Sequence, residues 1–159
     1  MDLKLRGGVL PSGQQVDVGI ADGVIAALEP QLTQTARQEI DLEGALLLPA
    51  FVNGHLHACK SFWRPGLARL NQPIHLEDAH QRFAAIHRVK QGYTVEDVTA
   101  RAERSIRLAV QHGTCALRLF ADVDEAAGLT ALQALLDLRH KYRRWLTIQV
   151  VAFPQGGVV

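Results

Sequence analysis

The sequence predicts an α/β protein in two parts, a short all-β unit followed by strands and helices in alternation. Three observations carry this. Within the first 48 residues, β-prone runs are punctuated by Asp22-Gly23 and Glu43-Gly44, where glycine supplies the positive φ that a hairpin turn requires. From Ala45 the stretch "ALLLPAFVNGHLHA" is nearly continuous in apolar residues, the pattern of a parallel strand covered on both faces. After it, two segments of helical periodicity are each followed by another strand-like run, and the order strand, helix, strand, helix, strand means a parallel sheet or barrel.

The elements follow in order. "LKLRGGVL", "VDVGIADGVIAAL" and "EIDLEGALLLPA" read as the strands of the β unit. Past the apolar run, a loop with Pro65, Gly66 and Pro73 leads to "LEDAHQRFAAIHRVK", a short helix with Leu76, Phe83 and Ile86 as candidate packing residues. Thr94 with Asp97 resembles a capping box, and Val98, Ala102, Ile106, Ala109 and Val110 then recur at helical spacing until Gly113. "TCALRLFADV" is the next strand. "AAGLTALQALLDLRHKYRRW" is an amphipathic helix with Leu132, Leu135, Leu136 and Leu138 inward and cations in its last turns, which suits the helix dipole. "LTIQVVAFP" is the third strand.

Composition narrows the function classes. The 159 residues are 48% hydrophobic and 21% charged, ordinary for a globular chain with a sizeable core. Seventeen basic and 16 acidic residues give a net charge of +1, with no footprint for nucleic acid or anionic lipid. No apolar run is long enough for a membrane span and no secretory signal opens the chain, so a cytoplasmic protein is expected. Cys59 and Cys115 lack CxxC spacing, which points to buried or site-adjacent thiols rather than a disulfide.

The chemistry sits in "HLH". Residues i and i+2 of a strand share a face, so His55 and His57 point the same way. If this is the first strand of a barrel, its C-terminal end lies at the rim where active sites form, and the two imidazoles can converge on one metal ion. Five other histidines, His75, His80, His87, His112 and His140, fall in a loop or on expected helices and read as surface residues. Cys59 reads as a packed thiol, with a place near the metal as the alternative, and Lys60 as a solvated lysine, with an approach to a substrate as the alternative. Trp63, near Arg64, either covers a pocket or belongs to the core.

"LLLPAFVNGHLHACK" resembles the first barrel strand of the amidohydrolase superfamily, where P-x-F/L-V-x-x-H-x-H follows a small β-sandwich, and "LTIQVVAFPQGG" is similar to the third-strand segment of its cytosine deaminases. The resemblance implies part of a β-sandwich over residues 1–48 and the first three strands of a (β/α)8 TIM barrel over 49–159. It also implies a divalent metal, Fe²⁺ or Zn²⁺, on His55 and His57, and a substrate-binding Gln155. A side-chain amide can pair with the adjacent N–H and C=O of a pyrimidine-like ring. The activity implied is hydrolytic deamination of cytosine or a related amino-heterocycle by an enzyme that can self-associate. A triazine or cyclic amide is the alternative substrate. A reading from another class is a non-catalytic module whose exposed barrel edge recruits a partner chain.

Two departures bear on the substrate. Ala58 and Cys59 stand where relatives often carry Leu and Asp, and Phe120 stands where close relatives carry His, although Arg118 and Asp122 fit. A whole barrel of this kind takes about 250 residues. In the resembled family the remaining ligand histidines, the acid/base glutamate and the metal-binding aspartate come from later strands. The expectation is therefore an N-terminal portion with no catalytic residue of its own, inactive alone.

Overall fold

The computed structural model describes residues 1–66 and 77–157, so Pro73, His75 and Leu76 lie outside the described residues. The chain divides into two compact units, Met1–Pro49 and Ala50–Val159.

The first unit is a four-stranded sheet of β1 (Leu3–Val9), β2 (Gln15–Ala21), β3 (Val24–Glu29) and β4 (Gln38–Asp41), in the order β3-β2-β1-β4. β2 pairs antiparallel with β1 and β3, while β4 runs parallel to β1. Asp22 and Gly23 both have positive φ, 51° and 76°, as a two-residue hairpin demands. Glu43 and Gly44 also have positive φ, yet they make no hairpin. The chain kinks there and resumes in the same direction beside β1, through a parallel bridge of Val9 with Leu46. β1 has an irregularity of its own between Leu5 and Gly8, in its pairing with β2. Gly8 leaves room for the returning chain: a Cβ there would stand 2.3 Å from a Leu47 methyl carbon.

The second unit holds a parallel sheet of β5 (Phe51–Leu56), β6 (Thr114–Asp122) and β7 (Thr147–Phe153), in the order β5-β6-β7. Its helices are α1 (Ala79–Lys90), α2 (Val95–Gln111) and α3 (Thr130–Tyr142). Thr94 accepts the Asp97 N–H at 3.2 Å, the cap expected from sequence, and Gly113 with φ 84° follows the end of α2. Strand alternation divides the sheet. Leu117, Leu119 and Ala121 of β6 are buried with Val98, Ala102 and Ile106 of α2 and Ala131, Ala134, Leu135 and Leu138 of α3. The intervening Arg118, Phe120 and Asp122 are left for the opposite face.

Three packing expectations are corrected. β5 is not covered on both faces: Phe51 is 55% exposed and Val52 71%. Burial begins instead at the one-turn 3₁₀ helix Ala58–Lys60, where Ala58 and Cys59 enter the core. On α1, Phe83 is 57% exposed and Ile86 only half-buried; the buried residues are Ala85 and Lys90. On α2, Val110 is exposed because it falls one step beyond the stripe ending at Ile106 and Ala109.

Candidate metal and ligand site at the strand ends

His55 and His57 leave the C-terminal end of β5 on one face, and their Nε2 atoms meet at 3.1 Å. Two imidazole nitrogens this close cannot both donate; they share one proton or one cation. Nitrogens on a single tetrahedral cation with bonds of about 2.0–2.1 Å stand roughly 3.3–3.4 Å apart, so the pair is near the spacing that a shared ion imposes. Among the described residues, no group of three or more His, Cys, Asp or Glu is placed to hold a metal ion. The histidines offer two ligands.

Aromatic rings fix these imidazoles. Phe120 of β6 stacks on His55 with centroids 4.4 Å apart and 24° between planes, and Phe153 of β7 meets the His57 ring edge-on at 5.2 Å. The remaining nitrogen of His57, Nδ1, is buried without a hydrogen bond and lies 3.7 Å from Asp122 Oδ1. Burial, reinforced by the Lys60 charge, pushes the His57 imidazole below the usual histidine range, while Asp122 opposes that shift.

Asp122, at the end of β6, is fully buried and anchors a polar cluster. By distance it forms ion pairs with Lys60 Nζ at 3.1 Å from Oδ1 and with Lys90 Nζ at 2.6 Å from Oδ2, both off the ideal hydrogen-bond angle. Lys90 also donates to Asp124 Oδ2 at 2.7 Å. Gln155, just past β7, accepts from Lys60 at 2.8 Å and from Lys90 at 3.0 Å through the same Oε1. Burial alone would push the Lys90 ammonium down, but its bonds to Asp122 and Asp124 carry it above the ordinary lysine range. Burial likewise works against the Asp124 carboxylate, yet Lys90 and the Ala127 N–H hold it below the usual range. Two lysines and two aspartates balance in charge, the condition under which buried ions are tolerated.

The structure thus brings His55, His57, Lys60, Phe120, Asp122 and Gln155 to one set of strand ends. Lys60 is not solvated, as its sequence context suggested: its side chain is 13% exposed and engaged by Asp122 and Gln155. Cys59 is a packed thiol whose Sγ lies 3.4 Å from the Phe120 carbonyl, and burial pushes its pKa up. Cys115 is free and exposed, against the expectation of a buried or site-adjacent thiol: it shares the parity of Leu117 and Leu119 but lies near the start of β6, where burial has not yet begun. Trp63 joins neither the mouth nor the core. It lines a separate cavity of about 350 Å³ with Phe62, Tyr93 and Arg101. His80, His87, His112 and His140 are exposed. Lys90 went unnoticed in the sequence because a lysine ending a helix is the commonest of surface signals.

No protein-family model matches the chain. It is 34% identical over 160 aligned residues, 98% of its length, to N-isopropylammelide isopropyl amidohydrolase of Pseudomonas sp. (strain ADP). This is an amidohydrolase-superfamily sequence. The structure of N-isopropylammelide isopropylaminohydrolase from Burkholderia multivorans superimposes on all of it with a TM-score of 0.76 at 30% identity. That of 5-methylcytosine deaminase from Klebsiella pneumoniae superimposes on 98% with a TM-score of 0.71 at 26% identity. The amidohydrolase sequence spans about two-fifths of these relatives: 39%, 39% and 37% of their lengths. No helix among the described residues is long and apolar enough to cross a membrane.

Proposed function

We propose that the chain is the N-terminal portion of a metal-dependent amidohydrolase in which β5, β6 and β7 are the first three strands of a (β/α)8 barrel and the first unit is part of a β-sandwich. His55 and His57 hold a divalent cation, Fe²⁺ or Zn²⁺, and Gln155 contacts the substrate. The observation that carries this reading is the approach of the two Nε2 atoms to 3.1 Å at the C-terminal end of a parallel strand. A metal held there supplies Lewis acidity and lowers the pKa of water, which is the chemistry of hydrolysis at an amine-bearing ring carbon. The chain's own residues bind and orient. Phe120 and Phe153 form an apolar wall against which a flat ring can lie, and Lys60 and Gln155 place polar groups at its edge.

The complete enzyme is then a hydrolytic deaminase of cytosine or a related amino-heterocycle, acting in the cytoplasm, with self-association open to it. A triazine substrate is favoured over cytosine by the two N-isopropylammelide enzymes among its relatives and by Phe120, a ring in place of the histidine that close cytosine deaminase relatives carry.

Metal titration of the chain tests the site. Zn²⁺ or Fe²⁺ supplied in excess should bind the wild type and not the His55→Ala/His57→Ala variant; a variant that binds metal as well as the wild type overturns the assignment. With two protein ligands and without the acid/base glutamate that the resembled family draws from later strands, residues 1–159 alone should not turn over cytosine or an aminotriazine. Turnover comparable to that of a complete relative would remove the reading as a portion of the enzyme.

A further inference from the structure

The strand ends are tied together by a side chain for which the proposed reaction has no use. Lys90 is the last residue of α1 and 3% exposed. An ammonium carries three N–H donors and no acceptor, and three oxygens from β6, the turn after it and the segment after β7 surround this one: Asp122 Oδ2, Asp124 Oδ2 and Gln155 Oε1. The two carboxylates already balance the charges of Lys90 and Lys60. Gln155 adds nothing to that balance, so its place between two cations has another consequence. Turned over, the amide would set its own N–H groups against two ammonium ions and forfeit both charge-assisted bonds. Only one orientation is compatible with the cluster.

We propose that Lys90 is a positioning residue: together with Lys60 it fixes the Gln155 amide oxygen inward and leaves the NH₂ group as the face offered to a ligand, so that the site selects a ring edge bearing oxygen acceptors over one bearing amines. This rests on the reading of Gln155 as a substrate residue and deepens it. The sequence alone allows the amide to offer donor and acceptor together; the cluster removes the acceptor. No hydrogen bond to Gln155 Nε2 is made among the described residues. A cavity of about 450 Å³, lined by Phe83, Ile86, His87, Lys90, Asp124 and Gln155, lies beside it and is large enough for a single ring.

The test is an NMR titration of the metal-free chain with two rings of one shape, cyanuric acid with three oxygens and melamine with three amines. Cyanuric acid should shift the Gln155 side-chain NH₂ signals and bind at least about tenfold more tightly than melamine, the worth of one hydrogen bond to the amide. Lys90→Met should bring that ratio towards one. Leu135→Ala, which only loosens the helix-backed core, should weaken both rings alike and keep the ratio. Equal binding of the two rings by the wild type, binding of neither, or an unchanged ratio in Lys90→Met overturns the proposal. If Lys90→Met does not fold, Gln155→Glu carries the same test, since it keeps oxygens facing both lysines and loses the NH₂; a ratio that survives it is equally fatal. Metal content is read on separate samples of the same proteins. A wild type that keeps the ring ratio but holds no metal sinks the metal assignment alone, and one that holds metal without the ratio sinks the role of Lys90 alone.

Discussion

Each unit buries a lysine and an aspartate, and the two pairs are wired differently. In the first unit, Lys4 donates to the Leu32 carbonyl while Asp17 accepts from the N–H groups of Leu32 at 3.0 Å and Gly7 at 2.9 Å. Every partner is backbone. The pair clamps the loop after β3 onto β1 and β2, and Leu32 is buried, as are Val16 and Val18. In the second unit, Lys60, Lys90, Asp122 and Asp124 bind one another and one amide, at the ends of strands whose loops are the usual home of active sites. Charges aimed at backbone close a loop. Charges aimed at side chains hold other side chains in place, and such an arrangement is what a binding surface requires.

The largest expected effect breaks the second pattern. Asp122→Ala leaves two ammonium ions without their shared buried partner, and loss of one side of a buried ion pair costs about 3–5 kcal/mol. Urea denaturation should show a loss in that range confined to the second unit; a loss below 1 kcal/mol would mean that water already serves these lysines.

The first pattern should yield less, because Asp17 holds hydrogen bonds to neutral N–H groups. Asp17→Asn keeps one acceptor oxygen and is expected to cost about 1–3 kcal/mol. It also carries a pH signature. The Leu32 and Gly7 N–H groups hold the Asp17 carboxyl below the usual carboxylate range, against the opposing effect of burial. A folded-state value below the unfolded one means that the stabilisation is complete above about pH 4 and is lost as the pH falls through the folded value. Acid titration of the wild type should therefore show a loss of stability in that window that Asp17→Asn lacks, and identical acid limbs would contradict the clamp.

The smallest effect belongs to an exposed counterpart. Glu103 accepts from Lys141 Nζ and Tyr142 Oη, each at 2.6 Å, and ties α2 to α3 at the surface. Glu103→Gln should cost no more than about 1 kcal/mol and less in high salt, as exposed pairs do. A larger, salt-insensitive loss in thermal melts would place this contact in the class of the buried clusters.

What the sequence revealed follows the same division between local and distant. The Thr94 cap, the Gly113 stop and the shared face of His55 and His57 are relations within a few residues, and each is set by backbone geometry. The parallel order of the second unit was legible for the same reason. The cluster around Asp122 was not: it joins positions 60, 90, 122, 124 and 155, brought together only when three strands line up, and no spacing announces it. From the sequence alone, Lys60 therefore reads as a solvated residue. The exposed apolar residues Val52 and Phe83 mark the other limit, since an apolar side chain signals what can be covered and is silent about whether a neighbour covers it.

If His55 holds a cation as proposed, the stacking of Phe120 on it bears on how fast and how tightly that ion would be taken up. A freely rotating imidazole must be immobilised at the moment of capture, at a cost of about 0.5–1.5 kcal/mol. Here a phenyl ring is stacked on the imidazole, so under the proposed reading a cation would meet one arm of its half-socket already held.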